Sequence, residues 1–253
     1  MVRLGQNFLA DPNLLEAIAR DADLAGDEVV LEVGGGEGAL SRVLAPRARA
    51  LHVVELDPRL GDRLGAVAAE HPNVSLHFAD AMRIDLAGLD PEPTAVVSNL
   101  PYSIATPLIL RTIAELPRVE RWTVMVQREI ADRLRAAPGS RAYGAPSVLV
   151  QLACEVNLLR AVDPAVFRPR PRVGSALLRL ERRGAAPGAA LAELVRGAFA
   201  HRRKALAGSL EIAGVGPGRE RVAAALVELG LPSDARAETL EPEAFRMLAE
   251  RLR

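Results

Sequence analysis

The tetrapeptide Asn99-Leu100-Pro101-Tyr102 carries the most specific chemistry in the sequence. It closes the β-branched run TAVVS, so it reads as the end of a strand. An exocyclic amine on a nucleobase is a poor nucleophile because its lone pair is delocalised into the ring. Acceptors that draw it toward a tetrahedral nitrogen make it reactive. The side-chain carbonyl of Asn99 and the backbone carbonyl of Leu100 are acceptors of that kind. Pro101 has no N–H and stiffens the wall, and Tyr102 offers a flat face on which an extruded base can stack. Without a ligand, the same four residues would be an ordinary Asn-x-Pro turn.

Three further features fall at strand ends. VGGGEGA (33–39) fits two templates: Gly34-x-Gly36-x-x-Ala39, as in a nicotinamide fingerprint, and Gly34-x-Gly36-x-Gly38, as in a methyltransferase loop. In both, glycine lets the backbone turn sharply and approach a ligand without a Cβ clash. Glu55 lies 21 positions beyond Gly34, where a carboxylate can accept both ribose hydroxyls of a nucleoside cofactor. Asp80 can accept from an adenine amino group or cap the turn that follows it.

These residues need a scaffold that brings strand ends together. Asp11 and Pro12 open a helix over 11–25. Strands are expected at 28–33, 50–56, 74–80, 94–101 and 122–127, with helices at 37–47, 58–70, 106–116 and 128–136 between or after them. Residues 146–162 read as a helix passing into a strand, and 175–182 as a last strand. Strands alternating with helices imply βαβ units, hence an α/β, Rossmann-like domain with a mostly parallel sheet. Ligands then bind beyond the carboxyl ends of the strands, near the switch point. RRGAAPGAA (182–190) reads as a linker, and everything beyond it as helix. The expected division is therefore 1–183, the sheet domain, and 184–253, a small all-helical domain.

The chain has 253 residues, 49% apolar and 25% charged, which places it among globular proteins rather than disordered or fibrous ones. One cysteine excludes a disulfide framework and a four-thiolate zinc site. None of the four histidines stands at metal-ligand spacing, so no metal is expected. MVRLGQNFLADP lacks a signal-peptide core, and no run reaches the about 18 apolar residues of a membrane span. A soluble, cytoplasmic protein is expected, with nothing to suggest more than a monomer. Net charge is zero but unevenly spread: residues 1–100 hold 8 basic and 16 acidic side chains, and 101–183 hold 14 and 7. Of the 32 basic residues 31 are Arg, whose planar fork suits phosphate. The basic middle of the chain, with Arg202-Arg203-Lys204, reads as a surface for nucleic acid.

From residue 5 to about 240 the chain resembles the ribosomal small-subunit RNA adenine dimethyltransferases, within the wider family of RNA adenine N6-dimethyltransferases. The matching stretches include GQNFL (5–9), LEVGGGEGALS (31–41), VVELD (53–57), NLPYSIATPL (99–108), MVQREIADRL (125–134), AYGAPSVLVQ (142–151), FRPRPRVGSALLRL (167–180) and AFAHRRKAL (198–206). The resemblance implies a methyltransferase sheet followed by a small helical domain that meets RNA. It implies S-adenosyl-L-methionine held by Asn7, Leu9, Gly34, Glu55, Asp80 and Asn99. It places the target adenine against Asn99, Leu100, Pro101 and Tyr102, with Phe167 as a second aromatic wall. The implied substrate is a pair of adjacent adenosines in the 3′-terminal hairpin loop of 16S rRNA, within the small ribosomal subunit or its precursor. Three positions depart from the family pattern: Gly35 replaces a proline, Gly174 replaces an aspartate, and Arg3 stands nearly alone where a basic arm precedes GQNFL.

Three other readings compete. A large-subunit (23S) adenine methyltransferase of the macrolide-resistance type would share the chemistry, but usually has Ile where Leu100 stands. A ribosome-assembly factor could bind an immature subunit with methylation secondary. A nicotinamide-dependent dehydrogenase would explain the glycine loop and leave the NLPY segment without a role.

Overall fold

The computed structural model describes residues 7–253; Arg3, Gly5 and Gln6 of the motifs above lie outside them. In chain order the elements are β1 (Phe8–Leu9), α1 (Pro12–Ala22), β2 (Val29–Val33), α2 (Ala39–Leu44), β3 (Ala50–Glu55), α3 (Gly61–Glu70), β4 (Val74–Phe78), β5 (Ala95–Asn99), α4 (Ala105–Glu115), β6 (Arg121–Gln127), α5 (Arg128–Leu134), α6 (Ala145–Gln151), β7 (Cys154–Val162), β8 (Phe167–Arg168), β9 (Ser175–Arg182), α7 (Ala189–Ala200), α8 (Leu206–Ile212), α9 (Arg219–Glu228) and α10 (Pro242–Arg251). They gather into two compact units, Met1–Ala131 with Val156–Arg182, and Asp132–Glu155 with Arg183–Arg253.

In the first unit a seven-stranded sheet runs β4-β3-β2-β5-β6-β9-β7. The pairs β4-β3, β3-β2, β2-β5 and β5-β6 are parallel, and β9 runs antiparallel to β6. All five residues of β2, VVLEV, are buried, as a central parallel strand covered on both faces requires. From β2 the chain moves outward to β3 and β4, then returns to the other side of β2 for β5 and β6. The order reverses between β2 and β5, which creates a crevice at their carboxyl ends.

Local signals set the element ends. The Asp11 side chain accepts the Leu14 N–H at 2.9 Å, Pro12 occupies the first helical position of α1, and Asp23 ends that helix in the left-handed conformation. Leu9, Ile18, Val30, Leu51, Val97, Phe167 and Leu177 belong to one buried apolar cluster.

Two short strands have no counterpart in the sequence reading. β1 and β8 pair antiparallel, Phe8 opposite Arg168 and Leu9 opposite Phe167. The Ala10 N–H extends the ladder to the Val166 carbonyl at 2.9 Å. Two residues are too few for period-two alternation to register, so only the tertiary pairing reveals them.

The second unit differs from the expected boundary at residue 183, because Asp132–Glu155 belongs to it. The reason is Tyr143. Its ring is fully buried and meets Phe199 edge-on at 5.9 Å, and its hydroxyl donates to the Leu240 carbonyl at 2.8 Å. Phe199 in turn stacks on Phe245 at 5.8 Å. Burial pushes the Tyr143 phenol well above its ordinary range, with the Glu241 charge acting in the same direction. In α7, Gly197 lets α8 approach closely: a Cβ there would lie 3.1 Å from Leu210 and Val215, and the Ser209 hydroxyl donates to the Gly197 carbonyl at 2.7 Å.

Candidate active site

The carboxyl ends of β2, β3 and β5, with the turn after β4, enclose a cavity of about 480 Å³. Small-molecule sites run from roughly 300 to 1,000 Å³. Asn7, Leu9, Gly34, Glu55, Asp80, Asn99, Leu100, Pro101 and Tyr102 all line it.

The glycine loop forms one wall. Gly34 and Gly36 adopt φ of +83° and +57°, which side chains rarely tolerate. A Cβ at Gly34 would come within 3.3 Å of the Pro101 ring, and one at Gly36 within 3.1 Å of Phe8. The loop therefore lies directly against the NLPY turn and β1. The Gly36 N–H donates to Glu55 Oε2 and the Asp57 N–H to Glu55 Oε1, both at 2.9 Å. One backbone donor on each oxygen fixes the buried carboxylate, and each oxygen keeps a lone pair for a ribose hydroxyl.

Gly35 has a different reason to be glycine. A Cβ there would sit 2.4 Å from Val53 Cγ1 and 3.2 Å from Leu64 Cδ2. The space a side chain at position 35 would need is filled by β3 and α3. Gly174 is under no such pressure, since a Cβ there would meet only the Val162 carbonyl at 3.8 Å.

Asp80 combines its two sequence readings. Oδ1 accepts the Met82 N–H at 2.8 Å, which caps the turn, while the residue lines the cavity. Leu56, more than half exposed, and Met82 add apolar surface to the same end.

At the other end, Asn99 Nδ2 makes a long hydrogen bond, 3.5 Å, to the Asn7 carbonyl, which leaves Oδ1 as the acceptor. The Leu100 N–H donates to the Met125 carbonyl at 3.0 Å, and the Ile104 N–H to the Pro101 carbonyl at 3.1 Å, tying the turn to β6 and into α4. The Tyr102 hydroxyl hydrogen-bonds Ser175 Oγ at 2.7 Å.

Phe167 does not line the cavity. It is 2% exposed and packs in the apolar cluster of the first unit. Its pairing with Leu9 turns the ring inward and leaves its neighbour Arg168 exposed, because adjacent strand residues face opposite ways. The expected second aromatic wall is thus a core residue here.

Glu32 escaped the sequence reading. It lines the cavity with 1% exposure, and Ser41 Oγ donates to its Oε2 at 2.6 Å. Burial pushes its carboxyl up to about 8, helped by the Glu55 charge and opposed by the Ser41 hydrogen bond. The available signal was a lone carboxylate inside a fully buried apolar strand.

Part of the charge separated along the sequence is paired in space. Arg121 pairs with Asp23 and Glu28, Arg160 with Asp21, and Arg118 with Glu92, so basic residues of the middle third neutralise acidic ones of the first. Arg168, Arg172, Arg203 and Lys204 stand exposed without an ion pair among the described residues.

No helix of the described residues is long and apolar enough to cross a membrane. The family model "Ribosomal RNA adenine dimethylase" matches residues 2–253. A relative from Rubrobacter xylanophilus, named ribosomal RNA small subunit methyltransferase A, is 46% identical over 252 residues, covering 99% of this chain and 94% of its own. A protein of the same name from Thermobifida fusca is 43% identical over 98% of this chain and 88% of its own. Among solved structures, the 23S rRNA methyltransferase ErmE superposes with a TM-score of 0.71 at 34% identity, covering 97% and 99% of the two chains. A dimethyladenosine transferase from Plasmodium falciparum reaches 0.82 at 23% identity over 95% of each chain, a likeness of fold. The match across nearly the whole sequence removes the dehydrogenase reading of the glycine loop: the chain belongs to the ribosomal RNA adenine dimethylase family.

Proposed function

We propose that this enzyme dimethylates N6 of two adjacent adenosines in the 3′-terminal hairpin loop of 16S rRNA, with S-adenosyl-L-methionine as methyl donor. It would act as a monomer in the cytoplasm, on the small subunit or its precursor, with a part in subunit biogenesis. The observation that carries the reading is one cavity. It joins a nucleoside-type cradle (Gly34, Gly36, Glu55, Asp80) to the acceptor-rich turn Asn99-Leu100-Pro101-Tyr102.

The residues fit the cofactor. The glycine loop packs closely on Pro101 and Phe8 because positions 34 and 36 lack Cβ atoms, Glu55 is fixed for ribose hydroxyls, and Asn7 and Leu9 border the same space. S-adenosyl-L-methionine supplies an electrophilic methyl on a sulfonium, so neither a metal nor a covalent enzyme intermediate is required. Asn99 Oδ1 and the Leu100 carbonyl accept the N6 hydrogens and localise the lone pair on nitrogen. Tyr102 stacks on the base, and the amine proton leaves to water once transfer is complete. Positioning supplies most of the rate. Phe167 has no part in this account, because its ring is in the core.

Relatives at 46% and 43% identity bear the small-subunit name, whereas the 23S enzyme is 34% identical; that ordering supports the 16S substrate over the 23S alternative. The test is mass mapping of methylated adenines after unmodified small subunits are incubated with enzyme and cofactor. Two adjacent dimethyladenosines near the 3′ end are expected. The Asn99→Ala variant should lose at least about a hundredfold in rate. Near wild-type turnover by that variant would reject the site assignment.

A further inference from the structure

We infer that Arg111 is a positioning residue for the adenosine end of the cofactor site. It acts through the Asp80–Ile84 turn and rests on the cavity reading above.

The turn's own donors are folded inward. The Met82 N–H goes to Asp80 Oδ1 at 2.8 Å, and the Arg83 and Ile84 N–H groups both go to the Asp80 carbonyl at 2.9 Å. These three donors all close on Asp80 and so hold neither the Ala81 nor the Ile84 carbonyl. Arg111 holds both from α4: Nη1 donates to the Ala81 carbonyl and Nη2 to the Ile84 carbonyl, each at 2.6 Å. Glu115, one helical turn on, takes Nε and Nη2 at 2.8 Å and sets the plane of the guanidinium. The Arg111 side chain is 15% exposed. Asp80, Ala81 and Met82 line the cavity. One planar fork therefore spans two carbonyls of the turn, those of Ala81 and Ile84, which a single ammonium cannot do. α4 begins just after the NLPY turn, and Ser103 and Ile104 at its start also border the cavity. The helix that extends the base wall thus carries the clamp for the adenosine wall.

Without the clamp the turn would be free to sample conformations in which Asp80 and Met82 no longer face the nucleoside. That loss is uniform across ground and transition states, so it should raise KM for the cofactor and leave kcat at saturation unchanged. Arg111→Lys and Arg111→Leu, with Glu55→Ala as control, would be compared by calorimetric titration with S-adenosyl-L-methionine and by steady-state methylation of small subunits. Arg111→Leu is expected to weaken cofactor binding about tenfold or more and Arg111→Lys about threefold. In both, kcat should stay within about twofold. If Arg111→Leu does not fold, Arg111→Lys carries the test. Wild-type cofactor affinity in Arg111→Lys, with Glu55→Ala impaired, would overturn this inference alone. So would a lowered Tm with unchanged KM, the mark of a merely structural arginine. Wild-type affinity in Glu55→Ala would overturn the cavity reading and the inference together.

Discussion

The Tyr102 hydroxyl and Ser175 Oγ lie 2.7 Å apart, which joins the turn at the end of β5 to the first residue of β9. Ser175 is buried, so the bond fixes the tilt of the ring proposed to carry the target base. Tyr102→Phe and Ser175→Ala should each weaken RNA methylation by about 1 kcal/mol in kcat/KM, and the double variant by little more than either. Tyr102→Ala should cost roughly 1–3 kcal/mol of stacking. Cofactor titrations should be unchanged in all of them. Additive losses in the double variant would separate the two residues.

Gly35 and Val53 form a second coupled pair, because a Cβ at 35 would lie 2.4 Å from Val53 Cγ1. Gly35→Ala should destabilise the protein by about 1–3 kcal/mol through overpacking. Combined with Val53→Ala it should cost at least about 1 kcal/mol less than the sum of the two single changes. Urea denaturation of the four proteins measures this.

Glu32 gives the protein a pH signature. Its carboxyl is pushed up from the ordinary 4.5 to about 8 by burial first, with the Glu55 charge adding to it. Through that window the folded chain holds a proton that the unfolded chain has released. Its contribution to stability therefore falls as pH rises and levels off above about 8. Glu32→Gln keeps an acceptor for Ser41 and removes the titration. The stability of the variant relative to wild type should rise between pH 5 and pH 8.5 by roughly 2–4 kcal/mol. A pH-independent difference in chemical denaturation would place the proton elsewhere.

Exposed Arg203 and Lys204 should meet phosphates of the RNA. Affinity for small subunits should then fall with rising salt, and each neutralising substitution should reduce the slope of log K against log salt by about 0.7–0.9. A slope unmoved by Arg203→Ala and Lys204→Ala would place the phosphate contacts elsewhere.

Local patterning along the chain announces the longer elements and what stands at their ends. Buried strands such as VVLEV, the Asp11 cap with Pro12, and glycines at 34 and 36 are signals carried by neighbouring residues, so they can be read locally. The resemblance, running through the NLPY segment to AFAHRRKAL, pointed to the chemistry. Tertiary structure decided the rest. Phe167 became a core residue because β8 pairs with β1, strands too short to announce themselves. Residues 132–155 joined the second unit because Tyr143 buries its ring against Phe199. Arg121 and Arg160, from the basic middle of the chain, reach back to Asp23, Glu28 and Asp21. Arg111 found its carbonyls, and Gly35 its valine, across spans that no local pattern encodes. Propensity and periodicity act over a few residues, whereas these contacts depend on which strand ends the sheet order brings together.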